Sequence, residues 1–352
     1  MFPQFNSKKL LFNPDPSDVF YVINYKYQSL SKQKVSIDEK EVNLLREELA
    51  YFFKSLTSKK KESLPLQFGS LEEEVGFIFL LEALRFGSRF DRLLEERSPG
   101  KRNSHEVIQF GLISSFISGK SPQFADFLVN CTTAHQVGTV FEFPVHESQP
   151  LEFAKFGGVY KDVEGPLSPF ANQIARALNE MGILLRARQM NHLGELVSFI
   201  YSKSNNDAWN FANQLAKLLP ITFGDEIHEV PFLCKAQRIV GVLVDRFPEN
   251  FHFKNLNRLT ALVDANLIFG LRKLGVLKLS ENLEKRIDSE NPETLTYGGD
   301  VEFALRIAAM HAVHLITQGK YRDDISTDWL IDKSVAIVHQ RFRIHQTETL
   351  FY

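Results

Sequence analysis

The residues best suited to chemistry lie in the C-terminal half of the chain. Asp264 stands inside an otherwise apolar, helix-patterned run from Leu259 to Leu271. A helical period puts it on one face with Thr260, Leu267, Ile268 and Leu271, a face that should be buried. An ionised carboxylate is costly to bury without a partner or a task. Upstream, Phe223-Gly-Asp225 follows a helix end, and an apparent helix from Pro231 sets Lys235 and Gln237 into apolar surroundings. An aromatic face, two separated carboxylates, and a buried amine or amide are the parts that a pocket for a polar heterocycle needs. The same residues also fit a purely structural reading, with Asp225 as a loop cap, Lys235 reaching out to solvent and Asp264 in an ion pair.

Other chemistry-bearing motifs are missing. The sequence contains no phosphate loop, no GxGxxG after a strand, no GxSxG elbow and no HExxH. His311 and His314 stand three apart on a helical pattern, but no third ligand follows at fixed spacing, so no metal and no cofactor are expected. Cys234 beside Lys235 reads as a buried, inert thiol rather than a nucleophile.

Helical periodicity dominates the elements that must position these residues. It predicts helices over 38–56, 71–86, 104–117, 169–187, 206–218, 231–246, 257–274 and 301–317. Ser70 ahead of three glutamates is a capping-box-like start, and Gly275 after Arg272 and Lys273 is a helix stop. Strand signals are confined to 21–25, 140–143 and 157–160, and loops are expected over 59–69, 96–103 and 144–168. The expected fold is mostly α, one compact helical domain over 1–352 with at most a small antiparallel β element. A Pro/Gly-rich segment would join an N-terminal half (17–143) to a C-terminal half (169–352).

Composition narrows the function. The 352 residues carry 41 basic and 43 acidic side chains, a formal net charge of −2 that gives no basic excess for nucleic acid or anionic membrane. Two cysteines are too few for a disulfide framework, the N-terminus lacks a long apolar stretch, and the strongest apolar run, 76–87, is too short to span a bilayer. A cytoplasmic protein acting on a small molecule is expected, with no direct nucleic-acid or membrane partner. The 31 phenylalanines are expected chiefly in the core.

At the chemistry-bearing residues the chain resembles the queuosine salvage family, the queuosine 5′-phosphate N-glycosylases. The family's Phe-x-Asp step is similar to Phe223-Gly-Asp225, and its Phe-Tyr-Lys-Arg-Ala-Gln helix to Phe232-Leu-Cys-Lys-Ala-Gln237. Its Leu-Thr-x-x-Ala-Asp block resembles Leu259 to Asp264, followed by Leu274-Gly-Val-Leu277. Tyr297-Gly298, the Glu302 to Arg306 step and the closing stretch His345 to Tyr352 resemble further family blocks, as do Leu81 to Phe86 and Leu178 to Leu185 upstream. The likeness runs in collinear order from about Gln67 to the last residue.

The resemblance implies an all-α fold related in shape to helical DNA glycosylases. It also implies hydrolysis of the N-glycosidic bond of a 7-deazaguanine nucleotide or nucleoside, releasing queuine for reuse in tRNA. Asp264 matches the catalytic aspartate, and Phe223 and Asp225 match residues that hold the base. Lys235 either contacts a 5′-phosphate or neutralises a carboxylate. The family's Tyr-Arg after the aspartate is replaced by Ala265 and Asn266, its Asn-Phe-Cys-Phe-Trp region reads Arg85 to Phe90, and a family histidine falls near Gln67. Loss of the tyrosine and arginine removes an aromatic wall and a charged clamp, which marks a divergent branch. The alternatives are a non-catalytic nucleotide-binding or scaffold paralogue, or a glycosidase for another modified base in an enlarged pocket.

Overall fold

Helix-start signals in the sequence become helix starts in the structure. Ser70 Oγ accepts from Glu73 N, and Asn103 and Glu106 form a reciprocal capping box. The computed structural model describes residues 16–55, 66–150, 160–290, 292–318, 320, 323–335, 337 and 342–352. In chain order the first helices are α1 (Pro16–Lys26), α2 (Glu39–Ser55), α3 (Leu71–Ala83), α4 (Asp91–Arg97), α5 (Ser104–Ile117), α6 (Ala125–Asn130) and α7 (Ala134–Phe141). They are followed by α8 (Ser168–Ala187), α9 (Leu193–Lys203), α10 (Ala208–Leu218), the short α11 (Pro220–Phe223) and α12 (Cys234–Arg246). The last are α13 (Ala265–Lys273), α14 (Glu281–Asp288), α15 (Asp300–Thr317) and α16 (Asp323–Val335). The fold is mostly α, as the periodicity predicts.

Strands are short and paired two by two. β1 (Val35–Ile37) pairs in antiparallel register with a strand at Leu277–Leu279, and β2 (His146–Pro150) with β3 (Tyr160–Glu164). β4 (Glu226–Ile227) and β5 (Val230–Pro231) form a two-residue hairpin whose turn, His228-Glu229, has positive φ at both positions. Leu277–Leu279 is β6; β7 (Thr294–Leu295) and β8 (Gln346–Thr347) pair in parallel, tying the last residues of the sequence onto the helical body.

Three local expectations change. Residues 21–25 lie in α1, not a strand: Ile23 and Tyr27 are buried four residues apart while Tyr21 and Tyr25 face solvent, a helical rather than alternating pattern. Residues 140–143 close α7 through Glu142, which takes a left-handed conformation. The segment 144–168 carries the β2–β3 hairpin instead of a plain loop. Of the remaining expectations, 157–159 and 59–65 lie outside the described residues, while Tyr160 opens β3.

Two hydrophobic clusters hold the helices. One gathers α3, α5, α8, α9 and α10; the other gathers α2, α13 and α15. α12 serves both, with Ala236, Ile239 and Val240 in the first and Cys234 in the second. α3 is apolar on every side from Val75 to Ala83 save Glu82, the signature of a helix buried all round. Phe77, Phe79, Phe141, Phe170, Phe211, Phe223, Phe232 and Phe303 are fully buried, so phenylalanine is largely a core residue here. No helix among the described residues is long and apolar enough to cross a membrane.

Candidate active site

Asp264 is not inside a helix. After one 3-10 turn at Leu256–Arg258, residues 259–264 lack regular structure, and α13 begins at Ala265 with Asp264 as its N-cap. Asp264 Oδ1 accepts from Leu267 N at 2.8 Å. The sequence expectation of one helix over 257–274 fails because the apolar stretch Leu259 to Val263 suits a buried extended segment as well as a helix, while Asp is a preferred N-cap. Asp264 is accordingly half-buried rather than sealed in a core.

The segment leading to Asp264 is held from three sides. Gln237 on α12 donates through Nε2 to Phe232 O (2.6 Å) and Thr260 Oγ1 (2.9 Å), and its Oε1 accepts from Thr260 N (2.6 Å). Thr327 Oγ1 accepts from Leu262 N (3.3 Å). Val263 O accepts from Cys234 Sγ and from Arg306 Nε, each at 3.3 Å. These bonds satisfy backbone groups that burial would otherwise leave unpaired, and they fix where the carboxylate emerges.

It emerges into a cavity of about 220 Å³. One wall comes from the ends of α3, α4 and α5: Arg85, Phe86, Ser88, Asp91, Asn103, Ser104 and His105. The other comes from α12, α13 and the last residues: Cys234, Lys235, Arg238, Leu262, Asp264, Ala265, Asn266, Phe351 and Tyr352. Two larger depressions, around Trp329 and around His135, contain none of these groups. Gly87 makes the turn between α3 and α4 at φ +97, and a Cβ there would meet the Phe170 ring at 2.3 Å.

Four of the sequence-derived site residues therefore share one cavity: Asp264, Lys235, Ala265 and Asn266. Phe223, Asp225 and Gln67 are not part of its lining. Gln67 is exposed ahead of α3. Phe223 is buried against Phe79, with its ring centroid 5.6 Å from Lys235 Nζ. Asp225 is sealed behind the site at 1% exposure.

Lys235 is buried, and its Nζ donates to Ala83 O at 2.8 Å, the carbonyl at the C-terminal end of α3. It also lies over the Phe86 ring, 4.9 Å from the centroid. Burial pulls its pKa down to about 7, against the opposing pull of Asp225 and Glu180. Burial likewise works against the Arg238 charge, but Glu82, Asp328 and Asp264 outweigh it and raise the pKa. Burial and the neighbouring Arg85 lower the pKa of His105; burial raises that of Asp91. Cys234 is pushed up to about 12 by burial, so it stays a thiol, as expected.

Behind the cavity lies a buried charge cluster. Arg306, with no exposed surface, donates to Asp225 Oδ1 and Oδ2 (2.7 and 2.6 Å) and to Glu302 Oε1 (3.3 Å). Its guanidinium sits between the Phe232 and Tyr352 rings, 4.0 and 4.7 Å from their centroids. Tyr297 donates to Asp225 Oδ1 (3.2 Å), and Tyr352 donates to Glu302 Oε1 (2.8 Å). The turn bearing Asp225 is fixed by Glu180, which accepts from Ile221 N, Thr222 N and Thr222 Oγ1 at the start of α11. Gly224 is required there, since a Cβ would stand 2.4 Å from Pro220 O.

His345, close to this cluster, is buried, and its Nε2 has no hydrogen-bond partner among the described residues. Burial, then the charges of Arg272 and Arg306, push its pKa from 6.5 to about 3. Between those two values the unfolded chain binds a proton that the folded chain refuses, so this residue makes stability fall as pH drops through the window. His345→Asn is expected to shallow the decline of the urea midpoint between pH 6.5 and 4; an unchanged slope would assign the acid sensitivity to other groups.

Sequence reasoning missed the α3–α5 wall and Arg238. Phe86 and Tyr352 lay within blocks already noted, but nothing in local spacing announces that Asp91, Asn103 and His105 meet α12 across the fold. Among the described residues, no group of three or more His, Cys, Asp or Glu is arranged to hold a metal ion. Among known proteins, the model of a family described as queuosine salvage protein matches residues 145–352. The upstream likeness from about Gln67 falls outside that range. Comparison with curated proteins gave no match.

Proposed function

The chain belongs to the queuosine salvage protein family, and on that premise we propose that it is an N-glycosidase acting on queuosine 5′-monophosphate or a related 7-deazaguanine nucleotide or nucleoside. The observation that carries the reading is the placing of Asp264. One carboxylate oxygen is fixed by the helix start, and Oδ2 has no hydrogen-bond partner among the described residues. The carboxylate borders a cavity that also holds aromatic rings and cations.

The chemistry fits these groups. Cleavage breaks the C1′–N bond, the electron pair leaves with the base, and positive charge develops on the sugar. A fixed carboxylate stabilises that oxocarbenium character and orients the water that attacks C1′. A 7-deazapurine has carbon at position 7, so protonation there cannot assist departure, and the site must rely on hydrogen bonds to the ring edge and on electrostatics. Phe86, Phe351 and Tyr352 supply aromatic surface for the base. In its protonated form Lys235 uses one of its three protons on Ala83 O and has two for anionic oxygens of a 5′-phosphate. Ala265 and Asn266 leave room where the family carries a tyrosine and an arginine. In this reading Phe223 and Asp225 act on the site from behind, through Lys235 and Arg306.

Incubation with queuosine 5′-monophosphate, followed by chromatography for free queuine, tests the proposal. Release by the full chain is expected, and its absence sinks the assignment. A second reading, a binding protein without turnover, is favoured by Ala265 and Asn266 beside Asp264 where the family carries a tyrosine and an arginine, and predicts tight calorimetric binding of the nucleotide with no release.

A further inference from the structure

We infer that Asp91 is a specificity-determining residue of this site, accepting a hydrogen bond from the cationic amine on the queuine substituent. This inference rests on the proposed reading of the cavity as a 7-deazaguanine nucleotide site. A base carrying a charged amine calls for a carboxylate that lines the cavity and is not already neutralised. Asp225 fails on both counts, being sealed and bidentately paired with Arg306. Asp264 is placed for the sugar.

Asp91 meets both conditions. It opens α4 and borders the cavity, and its Oδ1 accepts from Ser104 N, in the first turn of α5, at 2.8 Å. That bond and a second one from the Ser104 side chain fix the carboxylate, and neither brings a charge to balance it. The charged groups acting on Asp91 are Glu95 and Glu106, both of its own sign. The cavity's cations are answered elsewhere: Arg85 lies 3.7 Å from Glu82, Arg238 lies 3.8 Å from Asp328, and Lys235 is bound to Ala83 O. One stretch of wall thus carries negative charge that no cation among the described residues meets. An ammonium donated to Oδ2 would supply it through a charge-assisted hydrogen bond.

The test compares wild type and Asp91→Asn on two substrates, queuosine 5′-monophosphate and 7-deazaguanosine 5′-monophosphate, which lacks the amine-bearing substituent. Asparagine keeps the oxygen that accepts from Ser104 N, and the second substrate controls for damage to the fold. Asp91→Asn is expected to lower kcat/KM for the queuosine nucleotide roughly 10- to 100-fold, the scale of one hydrogen bond to a charged group, and to leave the other within about two-fold. Equal loss on both substrates, or loss on neither, overturns the assignment. If wild type releases base from neither, the glycosidase reading fails, and calorimetry with the same two nucleotides still decides Asp91. A wild-type preference for the queuosine nucleotide that Asp91→Asn abolishes upholds it; no preference overturns it.

Discussion

Replacing Arg306 with methionine is expected to cost about 3–5 kcal/mol of stability, read as a lowered urea midpoint. The side chain has no exposed surface, and its loss strands two buried carboxylates: Asp225 at 1% exposure and Glu302 at 0%. Burial already raises the pKa of Glu302, and Arg306 is the largest influence pulling it back. Asp225 would keep Tyr297 as a donor and Glu302 would keep Tyr352 and Gly298 N, but no cation among the described residues would remain in contact with either. Methionine fills much of the arginine's volume between Phe232 and Tyr352, so the cost measures charge rather than a cavity. The triple variant Arg306→Met, Asp225→Asn, Glu302→Gln is therefore expected to recover much of the loss. A single variant within about 1 kcal/mol of wild type would mean that water or proton uptake relieves the carboxylates, and the charge of Arg306 would then not be what stabilises the cluster.

The helices were legible where period and cap agree. The helix expected over 104–117 is α5 to the residue, and that over 169–187 is α8 with one residue added at its start, because Asn103 and Pro169 mark the entries. The helix expected from 257 was eight residues too long at its start. Leu259 to Val263 reads as apolar under either period, and tertiary bonds from Gln237, Thr327 and Arg306 hold it in a non-helical form. The site divides in the same way. Asp264 and Lys235 stood out as charged residues in apolar runs, which is a local signal. The Asp225–Arg306 pair spans 81 residues, and Asp91 reaches the cavity only because α4 and α5 meet α12. No periodicity encodes either. A residue whose partner is far along the chain looks unpaired in sequence, and nothing local to Asp225 announces its pairing with Arg306.

Asp264→Asn separates the structural task of this residue from the catalytic one proposed for it. As an N-cap, asparagine is the equal of aspartate, since its carbonyl oxygen can accept from Leu267 N as Oδ1 does. If capping were the whole task, Asp264→Asn would be nearly silent, and Asp264→Ala would lose about 1 kcal/mol of stability with activity otherwise intact. If the carboxylate also faces the developing sugar cation, removing its charge forfeits that stabilisation while the helix start survives. The expected result is a fall in kcat of roughly 10²- to 10⁴-fold for Asp264→Asn on queuosine 5′-monophosphate, with a melting temperature close to wild type. KM should change little, because the effect belongs to the transition state and not to the bound nucleotide. Retention of activity within about ten-fold by the asparagine variant would reduce Asp264 to a helix cap.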